Sequence, residues 1–118
     1  MAIRVLSREE CLDKLGGTSV GRIAITVEAI PTVVAVRFVV NGNRLIFDVI
    51  GGSVPGEVFD NVIVGFQADS FDAHGRRGWT VSGTGFVRRL KLSELWTDNE
   101  LEIASEIQFS LLSGHELN

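Results

Sequence analysis

The residues with types and spacing suited to chemistry stand in a few places along this 118-residue chain. Asp69 and Asp72 bracket Ser70-Phe71, a spacing open to a carboxylate pair for acid–base work or to a cation. No third oxygen ligand follows at a calcium-loop interval, so a solvated acidic turn is expected there, with His74 exposed in the same turn. Gly51-Gly52-Ser53-Val54-Pro55-Gly56 can offer several N–H groups to an anion. It has no lysine, fits neither the Walker nor the dinucleotide pattern, and is flanked by Asp48 and Glu57. Arg37 is the one charge inside Thr32–Val40. It either reaches water from a rim position or contacts an anion or carbonyl in a cleft. Cys11, with leucines nearby and no adjacent histidine or basic residue, reads as a small core hydrophobe rather than a nucleophile.

These groups need elements to hold them. Ser7-Arg8-Glu9-Glu10 fits a capping box, with Leu6 and Cys11 as the hydrophobic staple of a short helix that shows Cys11, Leu12 and Leu15 to the core. That helix should stop at Gly16-Gly17, where positive φ is easily adopted. Ser19–Glu28 is rich in β-branched residues and predicts a strand; Thr32–Val40, almost all Val, Ala and Phe, predicts a strand buried on both faces. Asn41-Gly42 signals a type I′ hairpin, with Arg44–Ile50 returning. Asn61–Ala68 is a further strand. Gly75–Leu90 is the longest, with Trp79, Val81, Gly83, Gly85 and Val87 on one face. Two glycines on that face imply either a sharp coil of the sheet or a close approach by another backbone or a flat ligand. Leu92–Glu100 is polar and helix-like around Trp96. Glu102–Leu112 alternates as a half-exposed last strand whose polar face carries two glutamates.

One domain spanning residues 1–118 is the natural count, since no linker, repeat or low-complexity segment interrupts the chain. A net charge of −4 and a pI near 5.1 argue against nucleic acid, whose phosphates need a surplus of Lys and Arg. A single cysteine excludes an internal disulfide framework and Cys-x-x-Cys metal sites, and fits a reduced, cytoplasmic protein. No apolar run approaches a membrane span, and Met1–Arg8 lacks the apolar core of a signal peptide. The expected fold is mainly β: a six-stranded split β-barrel of Greek-key type, with a short N-terminal helix and a small helical segment before the last strand.

The order of elements and several short motifs resemble the FMN-binding split-barrel proteins related to pyridoxamine 5′-phosphate oxidase, in their short bacterial branch. The likeness runs through Leu6-Ser7 to Cys11-Leu12, Val20-Gly21-Arg22-Ile23-Ala24, Pro31-x-Val33 into Val36-x-Phe38, and Leu45-x-Phe47 before a Gly-Ser loop. It continues through Phe66-Gln67-Ala68-Asp69, Gly78-Trp79-Thr80-Val81, Gly83 and Ser113-Gly114-His115. The resemblance implies a homodimer with FMN in grooves at the subunit interface and a flavin-dependent oxidoreductase activity. By position, Val36, Arg37 and Phe38 would border the flavin ring, Val49 and Ser53 would lie near the phosphate, and Trp79 would close the groove. No metal is implied.

The chain also departs from that pattern. Ala35-Val36-Arg37-Phe38 stands where Pro-Val-Asn-Tyr is common, Asp48-Val49 where Arg-Thr is, and Val54 where a lysine follows the loop serine. The last two changes remove cations or a hydroxyl from a dianion site and predict weak FMN binding. The alternative is a cofactor-free split-barrel dimer whose groove takes another small molecule or a protein partner.

Overall fold

The computed structural model describes residues 2–51, 54–90 and 104–118. Along them run β1 (Ile3–Leu6), α1 (Arg8–Gly16), β2 (Val20–Val27), β3 (Ile30–Asn41), β4 (Arg44–Val49), β5 (Val62–Phe71), β6 (Gly78–Arg89) and β7 (Ser105–Leu117), with one 3-10 turn at Gly56–Val58. The helix-like stretch at 92–100 lies outside the described residues.

Every strand pairing is antiparallel. β4, β3, β2, β5, β6 and β7 are neighbours in that order, and β7 returns to β4 to close a six-stranded barrel. β5 lies beside β2, the first strand of the preceding β2-β3-β4 meander, which makes the connection a Greek key. β7 is the joint. One of its edges pairs with β6 along the strand's length, while the other takes β4 at 105–108 and β1 at 114–117. Between those two partners Arg8, at the start of α1, donates to the Phe109 carbonyl at 3.2 Å. β1 is a seventh strand that the sequence reading does not contain.

The barrel fills because alternate residues of each strand turn inward. Ile23 and Ile25, Val34, Val36 and Phe38, Leu45 and Phe47, Val64 and Phe66, Val81 and Val87, Ile107 and Phe109 form one buried cluster. Within it Phe38 meets Phe66 edge-on, with ring centroids 5.3 Å apart, and Phe47 meets Phe59 at 5.4 Å. Gly83 and Gly85 sit on this inner side. A Cβ on Gly83 would lie 2.8 Å from the Phe109 ring, and one on Gly85 would lie 2.6 Å from the Gln108 carbonyl oxygen. Their bare face is therefore filled by the Phe109 ring and the β7 backbone, at the place where the β6–β7 pairing also shifts register, so close approach and a local bend of the sheet occur together.

The N-terminal cap forms as expected. Ser7 Oγ accepts the Glu10 N–H at 3.1 Å, Glu10 Oε1 accepts the Ser7 N–H at 3.0 Å, and Leu6 and Cys11 are both buried. The helix stops near Gly16-Gly17 without a left-handed residue: Gly17 has φ −93° and donates to Leu15 and Lys14 carbonyls. The β3–β4 hairpin turns on Gly42-Asn43, with Asn41 paired to Arg44, one residue later than expected. Gly42 has φ +62° and Asn43 is not left-handed, the pattern of a type II′ rather than a type I′ turn.

Two strands differ from what their sequence patterns predict. β3 is not buried on both faces: Val34, Val36 and Phe38 turn inward, but Val33, Arg37 and Val39 are exposed, because an antiparallel barrel has one dry side. β7 does not keep one alternation. Thr84 pairs with Leu111 and Gly85 with Phe109, so Ser110 is an extra residue in a β-bulge, its hydroxyl donating to the Thr84 carbonyl at 3.1 Å. Beyond it the phase flips, leaving Leu111 outside and Gly114 inside. Before it Glu106, expected on a polar face, is only 6% exposed and held by Arg44 at 2.8 Å and Arg88 at 3.4 Å.

Candidate functional site

Strand register turns the outward residues of β3, β2, β5, β6 and β7 into rows that cross the barrel wall. One row runs Val33, Ala24, Gly65, Thr84, Leu111. The next runs Ala35, Arg22, Gln67, Ser82, Ser113, and Ile50 joins it at the β4 end by donating its N–H to the Ala35 carbonyl at 2.9 Å. A third places Val20 beside Arg37, and Arg37 beside Asp48. The first row is apolar apart from Thr84, and it is low at its centre, where Ala24 and Gly65 leave little above the backbone. The second is polar. A depression of about 420 Å³ is lined by Arg22, Ala24, Val33, Gly65, Gln67 and Ser82 with their neighbours. Another of about 330 Å³ adjoins it over Thr18, Val20, Gly21, Arg22, Gln67 and Asp69. Arg22 and Gln67 border both.

The residues singled out in sequence are distributed unevenly over this surface. Val36 and Phe38 point into the core and Val49 is half-buried against it, so a ligand on β3 or β4 would meet their backbone rather than their side chains. Trp79 is half-buried on the inner-facing side of β6, paired with Ser70 and Glu116 near the end of the barrel. Ser53 lies outside the described residues. Among the described members of the set Arg37 alone turns its side chain outward, and its guanidinium meets Asp48 at 3.3 Å. Asp48 is thus matched by a cation, which softens the repulsion that its sequence position suggests. Val54, at the position where a loop lysine would be expected, is 8% exposed and part of the core, so it is a packing residue.

The sequence reading did not single out Gln67 or Ser82 as a site, and Arg22 entered only within a motif. Their signal was the outward phase of three strands; what brings them together is the β2–β5–β6 register. The turn expected at Asp69–Asp72 begins only at Asp72: Asp69, Ser70 and Phe71 end β5, paired with Thr80, Trp79 and Gly78. Asp72 accepts the Arg76 N–H at 2.8 Å, and the N–H groups of the turn hold its carboxyl below the usual carboxylate range, Arg76 foremost. Asp69 accepts from Gln67 at 2.7 Å. These carboxylates organise a hairpin and a side chain. Among the described residues no group of three or more His, Cys, Asp or Glu is placed to hold a metal ion, and no helix is long and apolar enough to cross a membrane.

A closed antiparallel barrel with a β7 joint and a capped helix defines a split β-barrel protein. The sequence model of the pyridoxamine 5′-phosphate oxidase family matches residues 7–106, and the chain belongs to that family. Among solved structures it is similar to the FAD-binding protein from Mycobacterium smegmatis, with TM-score 0.77, 26% identity, and coverage of 99% of this chain and 100% of that one. A FAD-binding protein from Mesorhizobium loti gives TM-score 0.74 at 23% identity, with both chains fully covered. The FAD and heme binding protein from M. smegmatis gives 0.71 at 14% identity, covering 95% of this chain and 71% of that one. No curated protein matches the chain by sequence.

Proposed function

We propose that the protein binds a flavin nucleotide on the outward surface of β3 and its neighbours, as a homodimer whose second subunit covers the groove. The observation that carries this reading is the pair of adjoining rows, one low and apolar through Ala24 and Gly65, one polar through Arg22 and Gln67. A flavin has that division: a flat hydrocarbon-rich ring system with a polar edge. The named FAD-binding relatives support a flavin and favour FAD over the FMN that the sequence resemblance implies.

The residues present fit the ring better than the phosphate. Backbone at Val36 and Phe38, with Ala35 between β2 and β4, would border the ring, and Trp79 would stand near the barrel end that limits the groove. Val49 and Ser53 remain the neighbours proposed for the phosphate, with Arg37 as a cation shared with Asp48. A thin phosphate set weakens either flavin, since the FMN phosphate and the FAD pyrophosphate carry similar charge, and the adenosine of FAD would add contact area that FMN lacks. The bound flavin would supply the redox chemistry, and an oxidoreductase activity follows from that; the protein's part is to orient the ring and exclude water.

Dimerisation is supported by what the barrel leaves uncovered. Val33, Ile63 and Leu111 are 67%, 64% and 68% exposed, beside Ile30 and Phe86. Covering them removes apolar surface from water and gives the groove a second wall. A cytoplasmic setting fits the single buried thiol of Cys11. The deciding experiment is spectroscopy of freshly purified protein, followed by heat release and chromatography of any flavin. A yellow protein releasing FAD supports the reading, FMN would restore the sequence expectation, and a colourless protein that takes up neither flavin would leave the cofactor-free dimer.

A further inference from the structure

We infer that Arg22, Gln67 and Ser82 form a donor–acceptor–donor strip that reads the carbonyl, N–H, carbonyl edge of an imide, the edge carried by the pyrimidine ring of a flavin. The inference rests on the flavin reading above.

Gln67 fixes the pattern. Asp69 is acceptor-only when ionised, so the amide nitrogen of Gln67 has to face it, and Nε2 donates to Asp69 Oδ2 at 2.7 Å. Its second hydrogen goes to Thr80 Oγ1 at 3.1 Å. With both donors engaged, the amide oxygen is directed away from them and meets no partner among the described residues. On one side Arg22 holds its neighbouring Gly21 carbonyl through NH1 at 3.1 Å, leaving its other N–H groups open among the described residues. On the other side the exposed Ser82 hydroxyl is a donor that can rotate to suit. The order across the wall is cation donor, fixed acceptor, neutral donor.

Spacing agrees with an imide. Neighbouring strands lie roughly 4.8 Å apart, so Arg22 and Ser82 stand on strands roughly 9.6 Å apart with Gln67 midway. An imide N–H points straight at the middle group, and its two carbonyls splay outward, so hydrogen bonds of about 2.9 Å place their donors one strand away on each side. A carboxylate would suit Arg22 and Ser82 but would set its charge against the Gln67 oxygen and Asp69. The ring N–H is what separates the two ligand classes.

The test uses the native protein, FAD, and FAD methylated at the ring N3, with binding read from flavin fluorescence. N3-methylation removes the hydrogen that Gln67 would accept, and a loss of about tenfold or more in affinity is expected. Gln67→Leu should weaken FAD about as much and remove the discrimination between the two flavins, with thermal melting checking that the variant is folded. Equal affinity of the native protein for both flavins would overturn the imide assignment and leave flavin binding in place. Binding of neither would overturn both.

Discussion

Gly21 keeps a side chain out of occupied space: a Cβ there would stand 2.8 Å from two ring atoms of Phe66. The same holds for Gly83 against the Phe109 ring, while Gly85 faces backbone, which yields less readily than an aromatic ring. Gly83→Ala and Gly85→Ala should therefore lower stability by about 1–3 kcal/mol through overpacking, Gly85→Ala the more; urea unfolding measures the order. A reversed order would mean that Phe109 is the stiffer neighbour. The turn between β2 and β3 makes the opposite case. Glu28 and Ala29 take φ of 50° and 66° without the glycine or asparagine that such turns favour. Ala29→Gly should raise stability by up to about 1 kcal/mol, relief of the left-handed strain exceeding the added freedom of the unfolded chain. An unchanged or lower urea midpoint would show that the turn is not strained.

At the scale of elements, α1 is tied to the barrel by charge as well as by Cys11, whose sulfur lies against Gly114 of β7. Arg4 of β1 bonds Glu10 of α1 and Glu116 of β7, and Lys14 bonds Glu116 at 2.6 Å. The Ser7 N–H and then Arg4 hold the Glu10 carboxyl down at about 2, and Lys14 and then Arg4 lower that of Glu116. A carboxyl depressed on folding adds stability above its unfolded value, and that stability is lost as the pH falls through the folded one. Thermal midpoints of the native protein should therefore drop more steeply than those of Glu10→Gln between pH 4.5 and 2, the difference shrinking in high salt. Parallel curves would assign the network no role. The cap behind this was legible because a capping box is local: Ser7 and Glu10 are three residues apart. β1 was not, since its four residues become a strand only by meeting 114–117. The phase flip in β7 depends on a bulge against Thr84 and Gly85, and alternation read along one strand cannot contain it. For the site, Arg37 stood out as a lone charge, but a positional likeness did not reveal that Val36 and Phe38 face inward. Arg22, Gln67 and Ser82 are distant in sequence and adjacent only through register.

For the whole molecule, the outward apolar residues are the main unfinished business of a single chain. Under the proposed dimer, Val33→Asp would bury a charge without a partner at the subunit contact and should convert dimer to monomer in sedimentation. An unchanged dimer would place the contact elsewhere. The β7 joint sets a different constraint, on when the fold can exist at all. Ile3 waits for Leu117, and the barrel wall stays open until β7 reaches both β4 and β6. On a ribosome adding roughly 5–20 residues per second, the first strand emerges many seconds before its only partner among the described strands. From the emergence of β4 until β7 is made, the nascent chain carries the β2–β3–β4 meander with its inner face uncovered, and a chaperone would have its best opportunity to bind in that window.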